Sequence, residues 1–155
     1  MTKFLFALAL CIAVNLSQAQ SVVINEINAD NPGTDTQEFI ELFGTPGTSL
    51  DSLVLVFFDG AADASYLAID LDGYALNDQG FFVVADSAVI GANYYFTNLT
   101  ANIQNGTDAV ALYMDDTSDF PTGTPATYNN LLDAVVYFTN DQDDPGLIAA
   151  LGLYA

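Results

Sequence analysis

Short hydrophobic runs alternate with turn-forming residues along most of the chain. From position 22 onward each run is five to seven residues long and rich in Val, Ile, Leu, Phe or Tyr, which is typical of β-strands. The runs are Val22–Ile27, Glu38–Phe43, Leu53–Phe58, Tyr66–Leu71, Phe81–Ala85, Ala109–Met114 and Leu132–Phe138. Gly, Asn, Asp and Pro separate them, as at Asn31-Pro32-Gly33 and Asp72-Gly73. Seven short strands with frequent turns predict an all-β fold, an antiparallel β-sandwich.

Three segments do not follow the simple alternation of strand and turn. Leu53–Phe58 is apolar at every position, which predicts burial on both faces, or an outer face covered by a loop or a neighbouring domain. Asp115–Asn130 is rich in Thr, Pro and Gly and is predicted to be a loop between the last two strands. Pro145–Leu151 is a candidate helical turn. The uncharged end of the chain either docks on the sandwich or precedes further sequence, and we favour the second interpretation.

The first 19 residues have the form of a secretory signal peptide. Lys3 is followed by the apolar run Phe4–Val14, which is too short to span a bilayer that needs about 20 apolar residues. Ser17-Gln18-Ala19 places small residues before a cleavage site, so cleavage is predicted after Ala19. We therefore expect a secreted, extracellular domain formed by residues 20–155.

Charge excludes several classes of function. The chain has 20 Asp and Glu, one Lys or Arg and no His, for a net charge of −19. Export would remove both Lys3 and the single Cys, Cys11. A domain without basic side chains is a poor candidate for binding nucleic acid or an anionic membrane. It also lacks the usual general bases and nucleophiles, so we expect no enzymatic activity from this domain alone.

Several motifs together resemble a lamin-tail domain. The opening of that family has an "INEI" motif, then "EYIEL", then a "dLsgW" motif. The segments here that match these three motifs are, in order, Val23–Ile27, Gln37–Leu42 and Thr48–Leu53. Three later segments also fit the family: Gly80–Val84, Gln104–Leu112 and Asp133–Tyr137. Thr139–Asp144 is similar to the version at the front of secreted bacterial nucleases and multidomain surface proteins. Leu53 stands where the family often has Trp, an exchange of one core residue for another.

The resemblance covers about residues 22–148 and implies both a fold and a class of function. It implies an immunoglobulin-like β-sandwich and a non-catalytic interaction or accessory module. Its partner would be an extracellular protein, a polysaccharide or a downstream domain of the same chain. Two alternatives stay open: an N-terminal accessory domain of a secreted hydrolase of the nuclease kind, and a calcium-dependent adhesive domain.

Carboxylates inside strands are the first candidate site. Glu26 and Glu41 lie among apolar residues and would form either an acid/base pair, as in glycosidases, or acceptors of hydrogen bonds from backbone or hydroxyl groups near a sheet edge. We favour the acceptor role. Glu38 lies on the opposite side of its strand from Phe39 and Phe43, so it is expected to be solvated.

Aspartates cluster in the predicted loops, where oxygen ligands would suit Ca²⁺. The clusters are Asp70 with Asp72; Asp115, Asp116 and Asp119; and Asp141, Asp143 and Asp144. The last is the best candidate for a calcium site, although it lacks the spacing and terminal Glu of the twelve-residue calcium loop. The alternative is a solubilising acidic surface. Zinc is disfavoured because no His or mature Cys is present.

Two remaining motifs are interpreted as structural. Asn98-Leu99-Thr100 and Asn105-Gly106-Thr107 match the N-glycosylation pattern, but Asn105-Gly106 is better explained as a hairpin turn. Tyr94-Tyr95-Phe96 would either stack on a glycan or peptide or pack on the core, and we favour packing.

Overall fold

The computed structural model describes residues 22–97, 102–139 and 144–153 of the chain. Its regular elements in this part of the chain are β1 (Val23–Asn28), β2 (Phe39–Phe43), β3 (Leu53–Asp59), β4 (Ala64–Asp70), β5 (Phe81–Ala85), β6 (Tyr94–Tyr95), β7 (Thr107–Met114), β8 (Leu131–Phe138), a 3-10 turn (Thr117–Asp119) and helix α1 (Pro145–Ala150). All seven predicted strands are present. The two-residue strand β6 was not predicted, because two residues are too short to show an alternation.

The strands form two four-stranded sheets. Sheet I has the order β1-β2-β5-β6 and sheet II the order β4-β3-β7-β8. Neighbouring strands are antiparallel, except that β6 runs parallel to β5. The prediction of an all-β fold with antiparallel sheets is therefore confirmed. The predicted signal peptide lies outside the described residues.

A single hydrophobic core joins the two sheets. Ile40 and Leu42 project from β2 of sheet I and are fully buried. Leu55 and Phe57 of β3 belong to the same cluster from the side of sheet II. Because successive side chains of a strand point to opposite faces, these positions define the inner face of each sheet. The sheets pack face to face as a β-sandwich.

The outer face of sheet II is covered by the chain itself. Val54, Val56 and Phe58 alternate with the inward residues of β3, yet they are fully buried. They form a second apolar cluster with Phe120 of the loop between β7 and β8 and with Leu147 of α1. The predicted burial of this strand on both faces is confirmed, and of the two covers considered for its outer face a loop is present, together with a helix.

Helix α1 packs the uncharged segment that begins at Pro145 against sheet II. Asp144 is its N-cap residue: Oδ1 accepts hydrogen bonds from the amides of Gly146 at 2.7 Å and Leu147 at 3.1 Å. Pro145 occupies the first helical position, where its missing N–H is harmless. Leu147 and Leu151 are buried against sheet II, so this segment docks on the sandwich. In the described part of the chain, no helix has the length and apolarity needed to cross a membrane.

Candidate interaction site

Within residues 22–97, 102–139 and 144–153, the outer face of sheet I lacks the cover that sheet II has. Strand pairing aligns Val23, Phe43 and Phe81 in one row across β1, β2 and β5. The next row aligns Glu26, Glu41 and Val83. We call this surface the aromatic face. It comprises Val23, Glu26, Phe39, Glu41, Phe43, Phe81 and Val83, which are half-buried or exposed.

Two phenylalanines form the apolar part of the aromatic face. The ring centroids of Phe43 and Phe81 are 5.0 Å apart, with the ring planes inclined by 42°. Phe43 remains 40% exposed. Aromatic side chains contribute large contact areas when they are buried, and contiguous exposed apolar patches mark interaction surfaces on soluble proteins. This pair therefore makes the outer face of sheet I a candidate docking surface.

Two carboxylates lie beside the phenylalanines because of a β-bulge. The register between β1 and β2 shifts between Ile24 and Glu26, so that Asn25 is the extra residue and Glu26 pairs with Glu41. The bulge reverses the alternation of side chains, which turns Glu26 outward instead of into the core. Asn25 Nδ2 donates to Glu41 Oε1 at 2.8 Å. Glu41 thus acts as a hydrogen-bond acceptor, although its donor is a side-chain amide and not the predicted backbone or hydroxyl group.

The expectation that Glu38 is solvated was wrong. Glu38 is fully buried, as are Ile40 and Leu42, which share its side of the strand. The expectation took Phe39 and Phe43 as the core side of β2. In Phe39–Phe43 both sides carry apolar residues, so alternation alone could not decide which side faces inward. Because the side of β2 that carries Glu38 faces inward, the opposite side, with Phe39, Glu41 and Phe43, lies on the aromatic face.

Glu38 belongs to a buried polar network at the end of sheet I. Its Oε2 accepts hydrogen bonds from the amides of Asn102 at 2.7 Å and Ile103 at 3.2 Å. Asp86, also fully buried, accepts from the Glu38 amide through Oδ2 at 3.1 Å and from Asn102 Nδ2 through Oδ1 at 2.7 Å. Glu38 Oε1 is buried and has no hydrogen-bond partner among the described residues. The network ties the segment after β6 to β2 and β5.

Burial determines the protonation of Glu38. Desolvation raises its pKa above the ordinary value of 4.5, while the hydrogen bonds from Ile103 and Asn102 lower it and the charges of Asp86 and Asp35 raise it further. The net direction is upward. Sequence reasoning missed this network because Asp86 and Asn102 are far from Glu38 along the chain.

An open acidic cleft lies at the turn that follows β3. It has a volume of about 660 Å³ and is lined by Asp59, Gly60, Asp108 and Asp144 together with residues 103–107. Asp108 is buried, and its Oδ1 accepts the Gly60 amide at 2.9 Å. Carboxylates in this cleft therefore serve partly to hold the turn between β3 and β4.

The predicted calcium site is described only at Asp144. Asp141 and Asp143 lie outside the described residues. Asp144 lies near Asp63. Burial is the main cause that raises the pKa of the Asp63 carboxyl, and the negative charge of Asp144 raises it further. Among the described residues, no group of three or more His, Cys, Asp or Glu side chains has an arrangement that would hold a metal ion. The calcium site remains a prediction.

The other aspartate clusters stabilise turns. Asp70 Oδ1 accepts the amide of Asp72 at 2.9 Å, and Asp72 Oδ1 accepts that of Ser52 at 2.6 Å. Asp116 caps the 3-10 turn by accepting the amide of Ser118 at 2.8 Å. A side-chain hydrogen bond between Asp115 and Asp119 lowers the pKa of Asp115 and raises that of Asp119. These contacts agree with an acidic surface whose carboxylates satisfy backbone donors.

The two motifs interpreted as structural differ in outcome. Phe96 is buried and Tyr94 packs on the core, as predicted, while Tyr95 is 43% exposed. Asn105-Gly106 does not connect paired strands: it leads from sheet I into β7 of sheet II, so the predicted hairpin turn was wrong. Asn98 and Thr100 of the first glycosylation pattern lie outside the described residues.

The hydroxyls of two half-buried tyrosines hydrogen-bond to the backbone of residues 102 and 104. Tyr66 OH donates to the Asn102 carbonyl at 3.3 Å, and Tyr137 OH donates to the Gln104 carbonyl at 3.0 Å. Burial is the main cause that raises the pKa of each hydroxyl. Both stay protonated at neutral pH and serve to anchor residues 102–104.

No protein-family model matches the chain, and no curated protein matches it significantly. The resemblance to lamin-tail domains therefore rests on the motifs of the sequence, and the site must be interpreted from its own chemistry.

Proposed function

We propose that this protein is a secreted, non-catalytic interaction module that resembles a lamin-tail domain and has an immunoglobulin-like β-sandwich. The two motifs that open the resemblance, in Val23–Ile27 and Gln37–Leu42, are neighbours in space because β1 and β2 pair in sheet I. Their glutamates, Glu26 and Glu41, meet on the aromatic face. The resemblance and the candidate docking surface thus involve the same two strands.

The observation that carries the proposal is the difference between the two outer faces. Sheet II is covered by the loop after β7 and by α1, whereas sheet I presents Phe43 and Phe81. The 20 carboxylates keep the chain soluble, and exposed aromatic rings contribute nothing to solubility. Binding a partner gives these rings a role.

The residue inventory supports a non-catalytic role. After removal of residues 1–19 the chain has no Lys, Arg, His or Cys, and Tyr66 and Tyr137 have raised pKa values. General acid–base and nucleophilic catalysis therefore have few candidate groups. We expect no nuclease, protease or esterase activity from residues 20–155.

A binding experiment with matched variants tests the proposal. The secreted protein would be immobilised and exposed to the secretome and the cell-surface polysaccharides of its own source, with and without Ca²⁺. Phe43→Ser with Phe81→Ser should abolish capture of the retained partner. Phe138→Ser, at a phenylalanine that is 57% exposed on β8, should leave capture unchanged. Equal capture by both variants, or no specific capture, would contradict the proposal.

Export has its own test. Mass spectrometry of the protein released from cells should find a chain that begins at Gln20, with the N-terminal glutamine cyclised. A mature protein that retains residues 1–19 would contradict secretion by this route.

A calcium-dependent adhesive role is the second candidate. It is favoured by the Asp63 carboxyl, whose Oδ1 has no hydrogen-bond partner among the described residues and which lies near Asp144 at the start of α1. Two close carboxylates without a cation repel each other, and Ca²⁺ would relieve that repulsion. Capture of a partner only when Ca²⁺ is present would support this role over calcium-independent binding.

A further inference from the structure

We propose that the aromatic face binds an arginine- or lysine-rich peptide segment of a partner protein. The inference rests on the proposed function and names the chemistry of the partner. The basic side chains would lie over the rings of Phe43 and Phe81, with their cationic groups directed at Glu26 and Glu41.

The positions of the two glutamates favour a cationic partner. Glu26 and Glu41 are directly opposite each other on adjacent antiparallel strands. Like charges at such positions destabilise a sheet, because facing Cβ atoms are only about 4.5–5.5 Å apart. The chain has no Lys, Arg or His after residue 3 that would neutralise them. A cation supplied by a partner would remove this repulsion and form charge-assisted hydrogen bonds.

The spacing between the rings and the carboxylates suits a long basic side chain. Phe43 is two residues from Glu41 on the same side of β2, which corresponds to about 6.4–6.8 Å along the strand. A guanidinium or ammonium group that contacts Glu41 is therefore within reach of the neighbouring ring for a cation–π interaction. The aliphatic stem of the same side chain would cover the apolar surface formed by Val23 and the Phe43–Phe81 pair.

The net negative charge of the whole chain also favours a basic partner. A net charge of −19 attracts basic segments and repels nucleic acids and anionic membranes. Charge complementarity increases the rate of association with a basic partner. A neutral glycan would stack on the rings but would leave the repulsion between Glu26 and Glu41 uncompensated. The observations therefore favour a basic peptide over a polysaccharide.

The test measures binding of synthetic peptides to the secreted protein by fluorescence anisotropy at low ionic strength. The probes are a peptide of alternating Arg and Ser and its counterpart of alternating Glu and Ser. The Arg peptide should bind and the Glu peptide should not. Glu26→Gln with Glu41→Gln should weaken Arg-peptide binding about tenfold or more, a loss typical of removing charge-assisted contacts.

Matched variants separate specific contacts from general charge. Asp70→Asn with Asp119→Asn removes the same number of charges from β4 and the loop after β7, and should change affinity by less than about threefold because neither carboxylate lies on the strands that form the aromatic face. Phe43→Leu with Phe81→Leu keeps apolar area but removes both rings, and should weaken binding about threefold to tenfold through loss of cation–π contacts. Glu26→Gln with Glu41→Gln should also raise the melting temperature, so weaker binding by this variant would not reflect unfolding.

Three results would overturn the inference. One is absence of Arg-peptide binding by the unaltered protein at low ionic strength. Another is equal affinity for the Glu26→Gln, Glu41→Gln variant and the unaltered protein. The third is binding of a neutral polysaccharide that requires Phe43 and Phe81 while the Arg peptide does not compete. This last result would leave the proposed interaction module intact and would change only its partner.

Discussion

Glu38 and Asp86 hold each other in the interior through backbone and side-chain hydrogen bonds. The Glu38 amide donates to Asp86 Oδ2 at 3.1 Å, and the Asp86 amide donates to the Glu38 carbonyl at 2.9 Å. Both residues are fully buried, and the sequence after Lys3 contains no Lys, Arg or His side chain that would pair with them. Buried carboxylates without a cation must be satisfied by amide donors or by a proton.

This arrangement predicts a pH dependence of stability. Because the folded-state pKa of Glu38 is raised above 4.5, the folded protein binds the proton more tightly than the unfolded chain. The resulting stabilisation is complete below the unfolded pKa and is lost as the pH rises through the folded pKa. Glu38→Gln lacks this dependence, so the variant should gain stability relative to the unaltered protein between about pH 4.5 and neutral pH.

Urea unfolding of both proteins across this pH range would measure the effect. Asp78→Asn, which removes a charge from an exposed turn, is the control for the loss of one carboxylate. If the stability difference between Glu38→Gln and the unaltered protein does not vary with pH, Glu38 does not titrate with a raised pKa.

The turn after β3 offers a second prediction. An alanine Cβ at Gly60 would overlap the carbonyl oxygen of Thr107, which is backbone and cannot move aside cheaply. Gly60→Ala should therefore lower the free energy of unfolding by about 3 kcal/mol or more, the upper range for overpacking. Gly91→Ala is the comparison: its φ is +88° and nothing lies within 4 Å, so only the conformational cost of about 1–2 kcal/mol applies. Chemical denaturation should rank the two in this order, and the reverse order would contradict the close approach of the Gly60 turn to β7.

Helix α1 is predicted to be part of the folding unit. Leu147 is fully buried in the cluster on the outer face of sheet II. Leu147→Ala should lower the free energy of unfolding by about 2–4 kcal/mol, as for other leucines truncated in a core. Leu132→Ala, at a residue that is 43% exposed, should lower it by less than about 1 kcal/mol. Similar small effects at both positions, measured in urea, would show that α1 detaches without affecting the sandwich.

The local sequence was sufficient to predict most of the strands and the burial of β3 on both faces. The run Leu53–Phe58 predicted burial on both faces, and the two clusters around Leu55 and Val56 confirm it. The prediction was possible because only a covered strand tolerates six consecutive apolar residues. The run itself did not indicate which segment provides the cover, since this depends on contacts with Phe120 and Leu147 far along the chain.

The candidate site was harder to predict because it depends on which side of β2 faces inward. Phe39-Ile40-Glu41-Leu42-Phe43 has apolar residues on both sides, and larger aromatic side chains suggested the wrong one. Pairing with β1 across the bulge at Asn25 and with β5 determines the choice. These are long-range contacts, and periodicity within one strand carries no information about them.

The net charge predicts a response to salt. The chain has 20 carboxylates and no Lys or Arg after Lys3, so residues 20–155 cannot form a salt bridge between side chains, and their surface charges repel one another. Monovalent salt screens this repulsion over a Debye length of about 8–10 Å near physiological ionic strength. The melting temperature should therefore rise with NaCl. A melting temperature that does not change with NaCl would contradict the repulsion argument.

Calcium should add a separate increment if Asp141, Asp143 and Asp144 bind it in the native state. Binding to the native state alone stabilises it by mass action, so low-millimolar Ca²⁺ should raise the melting temperature more than NaCl of equal ionic strength. Changing all three residues to Asn should remove the calcium increment and retain the NaCl increment. Asn caps a helix about as well as Asp, so the substitution of Asp144 leaves α1 capped and the loss is attributable to the missing carboxylates. Equal responses to Ca²⁺ and NaCl in the unaltered protein would instead identify the cluster as part of a solvated acidic surface, with Asp144 serving α1 alone.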